Sequence, residues 1–336
     1  MAVANLRFSV LDSFRGIAAM AIALFHFIDG WGGYIAVDFF LVLSGFILSH
    51  SYLYSPKKTS FLRFINHRIA RLYPLHVFTL VTFVITMYVI NGKFPFYADG
   101  NLFTLFQHLT LTHNVGLNPQ GITYNPPSWS ISVEFWVNVL FILLIRKTTK
   151  NLVLLGLAVV SLCLVYINTG HLDAQFQNYY GFVNSGMLRG IASFFLGIVS
   201  YRMFLYLLAN PNKQRFIGGI KIFTSMAVIF ILFARTGKYS ELDLLAPFVF
   251  MFMVTAFSFE SGPISQLMIK FKYLGEISYS IYLNQFTVLL CVGYGLQALE
   301  LPRMLLLLIF LVVLIIYSHW TYVYIEKPLR KLLRRS

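Results

Sequence analysis

The sequence predicts an all-α polytopic membrane protein with about ten transmembrane helices and both termini in the cytoplasm. Hydrophobic residues make up 58% of the 336 residues, and charged residues make up only 11%, whereas a soluble domain carries about 25%. The apolar residues form continuous runs, which favours helices over a β-barrel. The net charge of +14 does not indicate nucleic-acid binding, because the basic residues stand in short segments between the apolar runs.

Ten segments approach the length of about 20 mostly apolar residues that a spanning helix needs. They are residues 10–28, 34–54, 72–90, 129–146, 151–167, 186–208, 216–234, 242–259, 275–298 and 303–325. With the N-terminus inside, 20 of the 26 Lys and Arg residues fall on the cytoplasmic side and four on the outer side. This bias predicts two cytoplasmic termini. With no soluble domain or linker apparent, residues 1–336 are predicted to form a single domain.

The first span carries three ionisable residues that a simple membrane anchor would not need. Arg15 and His26 are eleven residues apart, which places them on one face and about 16 Å apart along the helix axis. Asp12 precedes Arg15 by three residues and can pair with it. Charged residues inside a span cost roughly 2.5–3.5 kcal/mol and often mark functional sites, although such pairs can also simply hold helices together.

Two carboxylates are expected at about the depth of His26. Asp38 lies near the outer end of the second span, and Glu134 enters the membrane from the outside in the fourth span. A histidine and two carboxylates that converge beside a stripe containing Arg15 predict a reaction centre. The sequence leaves open which carboxylate orients the imidazole, and a helix cap or ion pair remains an alternative for Asp38.

A cluster of arginines is expected at the inner surface. Arg68 and Arg71 are one helical turn apart, with Arg63 nearby, and arginine side chains grip phosphate oxygens in pairs. The alternative is a role in topology and in contacts with anionic lipids. The longest connection, about 91–128, is predicted to lie outside, and its length favours a functional role. The two cysteines show no disulfide or metal pattern, so no metal site is predicted.

Six segments follow one another along the chain in a specific order. They are LDSFRGIAAMAIALFHF (11–27), VDFFLVLSGFIL (37–48), RIARLYP (68–74), SWSISVEFW (128–136), LGEISYSIYL (274–283) and EKPLRK (326–331). Together they resemble acyltransferase family 3, the ten-span bacterial membrane enzymes that O-acylate surface glycans. The resemblance covers about residues 8–331, and it departs from the family at Gln285, where a histidine is common.

The resemblance implies a role for each matching residue. His26 is the catalytic residue, Arg15 is the motif arginine, and Arg68 and Arg71 are associated with the acyl-CoA donor. Trp129 and Glu134 match the fourth-span motif, and Glu326 matches an acid that precedes a proline. The implied enzyme is an O-acyltransferase of the bacterial inner (cytoplasmic) membrane with acyl-CoA, most simply acetyl-CoA, as donor substrate and no permanently bound cofactor. Its expected partners are membrane lipid and a glycan or lipid-linked saccharide, with a homo-oligomer left open.

These expectations combine into one mechanism. Arginines at the inner face would hold the donor phosphates, the pantetheine arm would pass Arg15, and His26 would act as general base on an acceptor hydroxyl. Neutral groups could bind the oxyanion or the sugar: Trp129, Ser130 and Asn114. Direct attack and an acyl-enzyme intermediate remain open. The competing hypotheses are a transporter or flippase for a lipid-linked glycan and a non-catalytic scaffold.

Overall fold

The computed structural model describes residues 6–28, 30–55, 59–97, 100–118, 121–234 and 240–334. Over these ranges the chain is almost entirely helical. The α-helices are α1 Ser9–Phe27, α2 Ala36–Leu48, α3 Phe61–Asn91, α4 Asn101–Leu109, α5 Trp129–Leu144, α6 Asn151–Thr169, α7 Ser185–Ala209, α8 Ile217–Phe233, α9 Ala246–Phe257, α10 Pro263–Ile269, α11 Lys272–Glu276, α12 Ser278–Gly295, α13 Arg303–Thr321 and α14 Lys327–Leu333. Two short strands, β1 Asn178–Tyr179 and β2 Val183–Asn184, pair antiparallel.

Eight helical segments of the described chain are long and apolar enough to cross a membrane. They are Ser9–Phe27, Gly33–Leu53, Phe61–Asn91, Pro126–Leu144, Asn151–Thr169, Ser185–Ala209, Pro211–Phe233 and Arg303–Leu333. The two other predicted spans correspond to α9, which has only 12 residues, and to α12, which contains the polar residues Asn284 and Gln285. The all-α polytopic class is therefore confirmed, whereas the count of ten spans and the position of the termini stay predictions.

Helix α2 lies at the centre of the bundle and packs closely against α7. Of the 18-residue apolar window in each span, 78% is buried in Gly33–Leu53, which contains α2, and 61% is buried in Ser185–Ala209, which is α7. The close approach depends on glycine: a Cβ atom at Gly45 would collide with the carbonyl oxygen of Phe194, and one at Gly197 with that of Val42. In contrast, only 28% and 22% of the spans at Asn151–Thr169 and Pro211–Phe233 are buried, so these helices form the periphery.

The long connection between α3 and α5 returns into the helix bundle. The carbonyl oxygen of Leu111 accepts hydrogen bonds from Ser132 Oγ at 2.6 Å and from Trp136 Nε1 at 2.9 Å. Trp136 lies seven residues inside α5, which corresponds to about 10 Å below its first residue. The segment therefore packs against the side of α5, and its place on the outer side of the membrane stays a prediction. Non-helical backbone within a membrane protein is tolerated where it is enclosed by protein.

Three buried histidines fasten this segment to α3. The rings of His108 and His113 are stacked with centroids 3.9 Å apart, and His76 of α3 lies parallel at 5.8 Å from His113. The Nε2 atoms bond to neighbouring oxygens: His76 to the His108 carbonyl at 3.0 Å, His108 to Thr123 Oγ1 at 2.8 Å, and His113 to the Ser128 carbonyl at 3.1 Å. This irregular segment lacks the regular backbone hydrogen bonds of a helix, and the imidazoles supply hydrogen bonds to some of its carbonyl oxygens instead.

The stack should make the segment sensitive to acid. Burial lowers the pKa of His113 to about 3, from an ordinary value of 6.5. The unfolded segment therefore binds more protons than the folded segment. The free energy of local unfolding is constant above about pH 7 and falls as the pH drops below 6.5. For His113 alone the expected loss at pH 5 is about 2 kcal/mol. Hydrogen exchange of residues 107–118 in nanodiscs, corrected for the intrinsic exchange rate, measures this loss.

The matched control for this experiment is His319→Phe, because His319 is exposed on α13. We expect His113→Phe to reduce the dependence of local opening on pH, and we expect the control to leave it unchanged. An opening free energy that stays constant between pH 8 and pH 5 in the wild-type protein would contradict the assignment of neutral, buried imidazoles.

Candidate active site

A cavity of about 550 Å³, here called the arginine cavity, opens between α1, α2, α3, α5 and α11. Eight charged side chains line it, and basic groups outnumber acidic ones. These groups are Arg7, Arg15, Arg68, Arg71, Lys272, Asp12, Glu134 and Glu276. A space of this size with an excess of positive charge suits a large anionic ligand.

Arg15 and Asp12 form the contact that their spacing predicts. Arg15 Nη1 lies 3.2 Å from Asp12 Oδ1, with 20% and 48% of the two side chains exposed. The pair therefore lines the cavity without being sealed inside the protein. An exposed ion pair contributes only about 0–1 kcal/mol to the stability of a fold. This contribution does not offset the free energy that placing the charged Arg15 within a membrane span costs.

Arg68 and Arg71 project from α3 into the same cavity. Arg68 is buried, and its guanidinium carbon lies 5.9 Å and 5.8 Å from the ring centroids of Tyr52 and Phe64. Its Nε atom has no hydrogen-bond partner among the described residues, so it retains a donor for a ligand. Arg63 was grouped with this pair, but the structure places it on the exposed start of α3, away from the cavity lining. This part of the prediction is wrong.

A smaller space of about 40 Å³, the middle cavity, continues from the arginine cavity. Arg15, Arg71 and Glu134 line both spaces. The far side of the middle cavity is formed by Ser130 and Tyr282, and Ser130 Oγ donates a hydrogen bond to Tyr282 Oη at 2.8 Å. The predicted oxyanion or acceptor residue Ser130 therefore lies between the arginines and His26.

His26 lines a third space of about 50 Å³, the histidine pocket. Val37 and Tyr282 line both this pocket and the middle cavity. Trp129, the first residue of α5, is also part of the lining, as its predicted role near the acceptor requires. Neighbouring spaces therefore share lining residues from Arg15 to His26.

Asp38 does not orient His26, which corrects one of the two alternatives. Its carboxylate is bound by Arg189 of α7, whose Nε lies 3.0 Å from Oδ1 and whose Nη2 lies 2.7 Å from Oδ2. Ser193 Oγ donates to Oδ1 at 2.8 Å. Both charged groups are buried, so this carboxylate is committed to a pair that joins α2 to α7.

Glu134 also lies apart from His26. It lines the arginine and middle cavities but not the histidine pocket, and it accepts a hydrogen bond from Ser44 Oγ at 3.2 Å. Five residues separate it from Trp129, which places Glu134 about 7.5 Å further along α5. The expectation that Glu134 and His26 share one depth is therefore wrong.

The remaining predicted residues lie outside the histidine pocket. Asn114 uses both amide hydrogens within the protein, donating to the Gln175 carbonyl at 3.1 Å and to Asn184 Oδ1 at 3.0 Å. Its prediction as an oxyanion or acceptor ligand is thus contradicted. Glu326 accepts a hydrogen bond from Ser280 Oγ at 2.9 Å and lines a side cavity of about 180 Å³ together with Arg15.

Sequence reasoning missed the polar residues that the 170–184 segment brings to His26. Asp173 and Gln175 line the histidine pocket. Gln175 Oε1 is buried and has no hydrogen-bond partner in the described part of the chain. Phe176 and Trp129 form adjoining aromatic walls with ring centroids 6.4 Å apart. No motif marks this segment, so only its folded position reveals it.

Several known proteins are similar in sequence to this chain. A family model described as an acyltransferase domain matches residues 8–322. "Protein 2 in picA locus" of Rhizobium radiobacter is 33% identical over 184 residues, covering 47% of this chain and 93% of that protein. The "Putative membrane-bound transacylase BcsY" of Komagataeibacter xylinus is 25% identical over 289 residues, covering 81% and 70%.

A third relative extends along nearly the whole chain. The "Putative O-acetyltransferase SACOL0978" of Staphylococcus aureus (strain COL) is 22% identical over 369 residues, covering 96% of this chain but 57% of that protein. No solved structure matches this chain. The chain belongs to the family of membrane acyltransferases that the matching domain defines, and it is an O-acyltransferase.

Proposed function

We propose that this protein transfers an acetyl group from cytoplasmic acetyl-CoA to a hydroxyl of a surface or lipid-linked glycan, at the outer face of a bacterial inner membrane. The observation that carries the proposal is the row of neighbouring spaces with shared lining residues, from the arginine cavity past the middle cavity to the pocket of His26. It offers separate binding regions to a large anionic donor and to a hydroxyl acceptor on the two sides of the reaction centre.

The arginine cavity supplies the donor site of this proposal. The phosphates of coenzyme A cannot enter lipid, and arginines bind phosphate through paired, charge-assisted hydrogen bonds. Arg68 retains an unused Nε donor, and Arg71 lines both the arginine and middle cavities. The uncharged pantetheine arm then extends past Arg15 and brings the thioester towards His26.

His26 acts as the general base in the reaction. One of its ring nitrogens removes the proton of the acceptor hydroxyl while the oxygen attacks the thioester carbonyl carbon. The tetrahedral intermediate collapses with cleavage of the C–S bond, and the coenzyme A thiolate takes the proton back from the imidazolium. The products are an ester and free coenzyme A. Asp173 serves as a positioning residue in this scheme, because its negative charge favours the imidazolium that forms transiently.

The histidine pocket suits a saccharide hydroxyl. Trp129 and Phe176 provide aromatic walls against which a sugar ring can pack, and the Gln175 amide oxygen can accept a hydrogen bond from a hydroxyl. The name of one relative, a putative O-acetyltransferase, supports an oxygen acceptor, and the name of another, a putative transacylase, supports acyl transfer. Membership of an acyltransferase family also favours this enzyme over the transporter and scaffold alternatives.

Vesicles of defined orientation test the proposal. Everted vesicles that contain the protein are supplied with radiolabelled acetyl-CoA, and label in the saccharide extract and free coenzyme A are measured. We expect both products, at a rate well above that of right-side-out vesicles. Arg68→Ala combined with Arg71→Ala should raise the KM for acetyl-CoA at least tenfold, since each lost charge-assisted hydrogen bond is worth about 1.5–3 kcal/mol.

Arg63→Ala is the matched control, because Arg63 is a nearby arginine outside the cavity lining. Its KM for acetyl-CoA should stay within about twofold of the wild-type value, since its exposed charge is screened by solvent. Movement of the lipid-linked saccharide across the vesicle membrane with no release of coenzyme A would support a transporter instead. An unchanged KM in the double variant would assign Arg68 and Arg71 to membrane topology.

A further inference from the structure

We infer that the histidine pocket selects a neutral acceptor sugar over an acidic one, and that Asp173 is responsible for this selection. The inference rests on the proposed function, because it concerns the sugar whose hydroxyl meets His26. Asp173 and His26 line the same pocket. Asp173 is partly buried, and within the described ranges its side chain forms no hydrogen bond or ion pair. Its carboxylate is therefore available to act on a ligand.

The positive charge in the lining of the pocket is already balanced within the protein. Arg189 also lines the histidine pocket, but its Nη2 lies 2.7 Å from Asp38 Oδ2 and donates to the Tyr34 carbonyl as well. Its Nε donates to Asp38 Oδ1, and its Nη1 donates to the Leu172 carbonyl. Most of its donors are thus occupied, and its charge is paired. Asp173, in contrast, has no counter-ion in contact among the described residues.

Two residues of the 170–184 segment offer hydrogen-bond acceptors to the pocket. Gln175 Oε1 is buried and has no partner in the described part of the chain, and the oxygens of an ionised Asp173 can only accept. A sugar hydroxyl can donate a hydrogen bond to either group. The carboxylate of an acidic sugar has no hydrogen to donate, and it carries the same charge as Asp173. Hydrogen bonding and charge therefore favour the same class of acceptor.

The size of the pocket confines this selection to the sugar unit that is acylated. The pocket measures about 50 Å³, and at roughly 10–15 Å³ for each water-sized position it holds about three to five small groups. The reacting hydroxyl and its neighbouring substituents fill this space, so little water remains to weaken the repulsion between like charges. An acidic group elsewhere on the glycan stays in water, where salt screens its charge.

The native product tests the inference directly. Everted vesicles that contain the protein and its native saccharides are supplied with deuterium-labelled acetyl-CoA. Tandem mass spectrometry of the saccharide extract then identifies the sugar unit that carries the label. We expect the labelled acetyl group on a neutral hexose, deoxyhexose or N-acetylhexosamine unit. Label on a hexuronic or sialic acid unit overturns the inference and leaves the proposed acyl transfer intact.

Two probes that differ in charge isolate the role of Asp173. Methyl glucuronide carries a carboxylate where methyl glucuronamide carries a neutral amide of similar size. Coenzyme A release by the protein in nanodiscs, which leave both membrane faces accessible, gives kcat/KM for each probe. We expect the wild-type protein to prefer the amide at least tenfold, equivalent to about 1.4 kcal/mol. Asp173→Asn should lower this preference at least fivefold, although the loss of the positioning charge slows transfer to both probes.

Glu241→Gln is the matched control, because Glu241 is an exposed acid outside the lining of the histidine pocket. This variant should keep the wild-type preference. Equal use of the two probes by the wild-type protein, or an unchanged preference in Asp173→Asn, overturns the inference alone. A protein that labels its native saccharide but uses neither probe is judged by the sugar that carries the label. A protein that uses neither probe and labels no saccharide overturns the proposed function and the inference together.

Discussion

Replacement of His26 by alanine should lower the rate of acyl transfer by about 10²–10⁴-fold, the usual contribution of a positioned general base. The imidazole lines the histidine pocket with Trp129 and Asp173, and no second histidine lines that pocket in the described part of the chain. The KM for acetyl-CoA should change little, because the arginine cavity is separate from this side chain. Initial rates in everted vesicles measure both quantities.

The control for this variant is His319→Ala. His319 is exposed, contacts Tyr273, and lies outside the linings of the cavities described above. We expect this control to retain the wild-type rate. If the His26→Ala protein inserts into the membrane and acetylates at the wild-type rate, His26 is not the base and the proposed mechanism fails.

Asp38→Asn should produce the largest loss of stability among the changes considered. The Arg189 guanidinium would then remain buried next to a neutral amide, and breaking a buried ion pair in this way costs about 3–5 kcal/mol. Arg189 also donates to the Tyr34 carbonyl at 2.8 Å and to the Leu172 carbonyl at 3.2 Å, so its displacement would loosen several elements. Thermal unfolding of the purified protein in detergent measures the effect.

Asp12→Asn is the matched control for charge removal. Asp12 is half-exposed, so this change should cost no more than about 1 kcal/mol. The double variant Asp38→Leu with Arg189→Met should recover most of the stability lost in Asp38→Asn, since an apolar pair can replace a buried ionic one at little cost. Equal losses in Asp12→Asn and Asp38→Asn would show that the buried pair does not stabilise the fold.

The sequence predicts best those features that lie within one helix. The period of 3.6 residues fixes Arg15 and His26 on one stripe of α1, and it brings Asp12 to Arg15. The same periodicity places Arg68 and Arg71 one turn apart on α3. Continuous apolar runs likewise predict the polytopic class. Local geometry alone determines each of these features, so they do not depend on how the helices assemble.

Relations between helices are not accessible in the same way. Asp38 and Arg189 are 151 residues apart, and no local rule indicates how far each helix rotates about its own axis. The rotation of α2 directs Asp38 towards α7, whereas the path of α5 carries Glu134 beyond the pocket of His26. Opposite charges in two spans did offer one signal, because each requires a partner inside the bundle.

The depth of the segment that carries His108 and His113 has a consequence for biogenesis. Its irregular backbone can be satisfied only by hydrogen bonds from helices on both sides, with His76 on α3 and Trp136 on α5 as the anchors. Since bare peptide groups are excluded from hydrocarbon, the segment cannot settle before α5 has been inserted. The chain must therefore complete this region only after α5, a helix that is translated later, has been inserted.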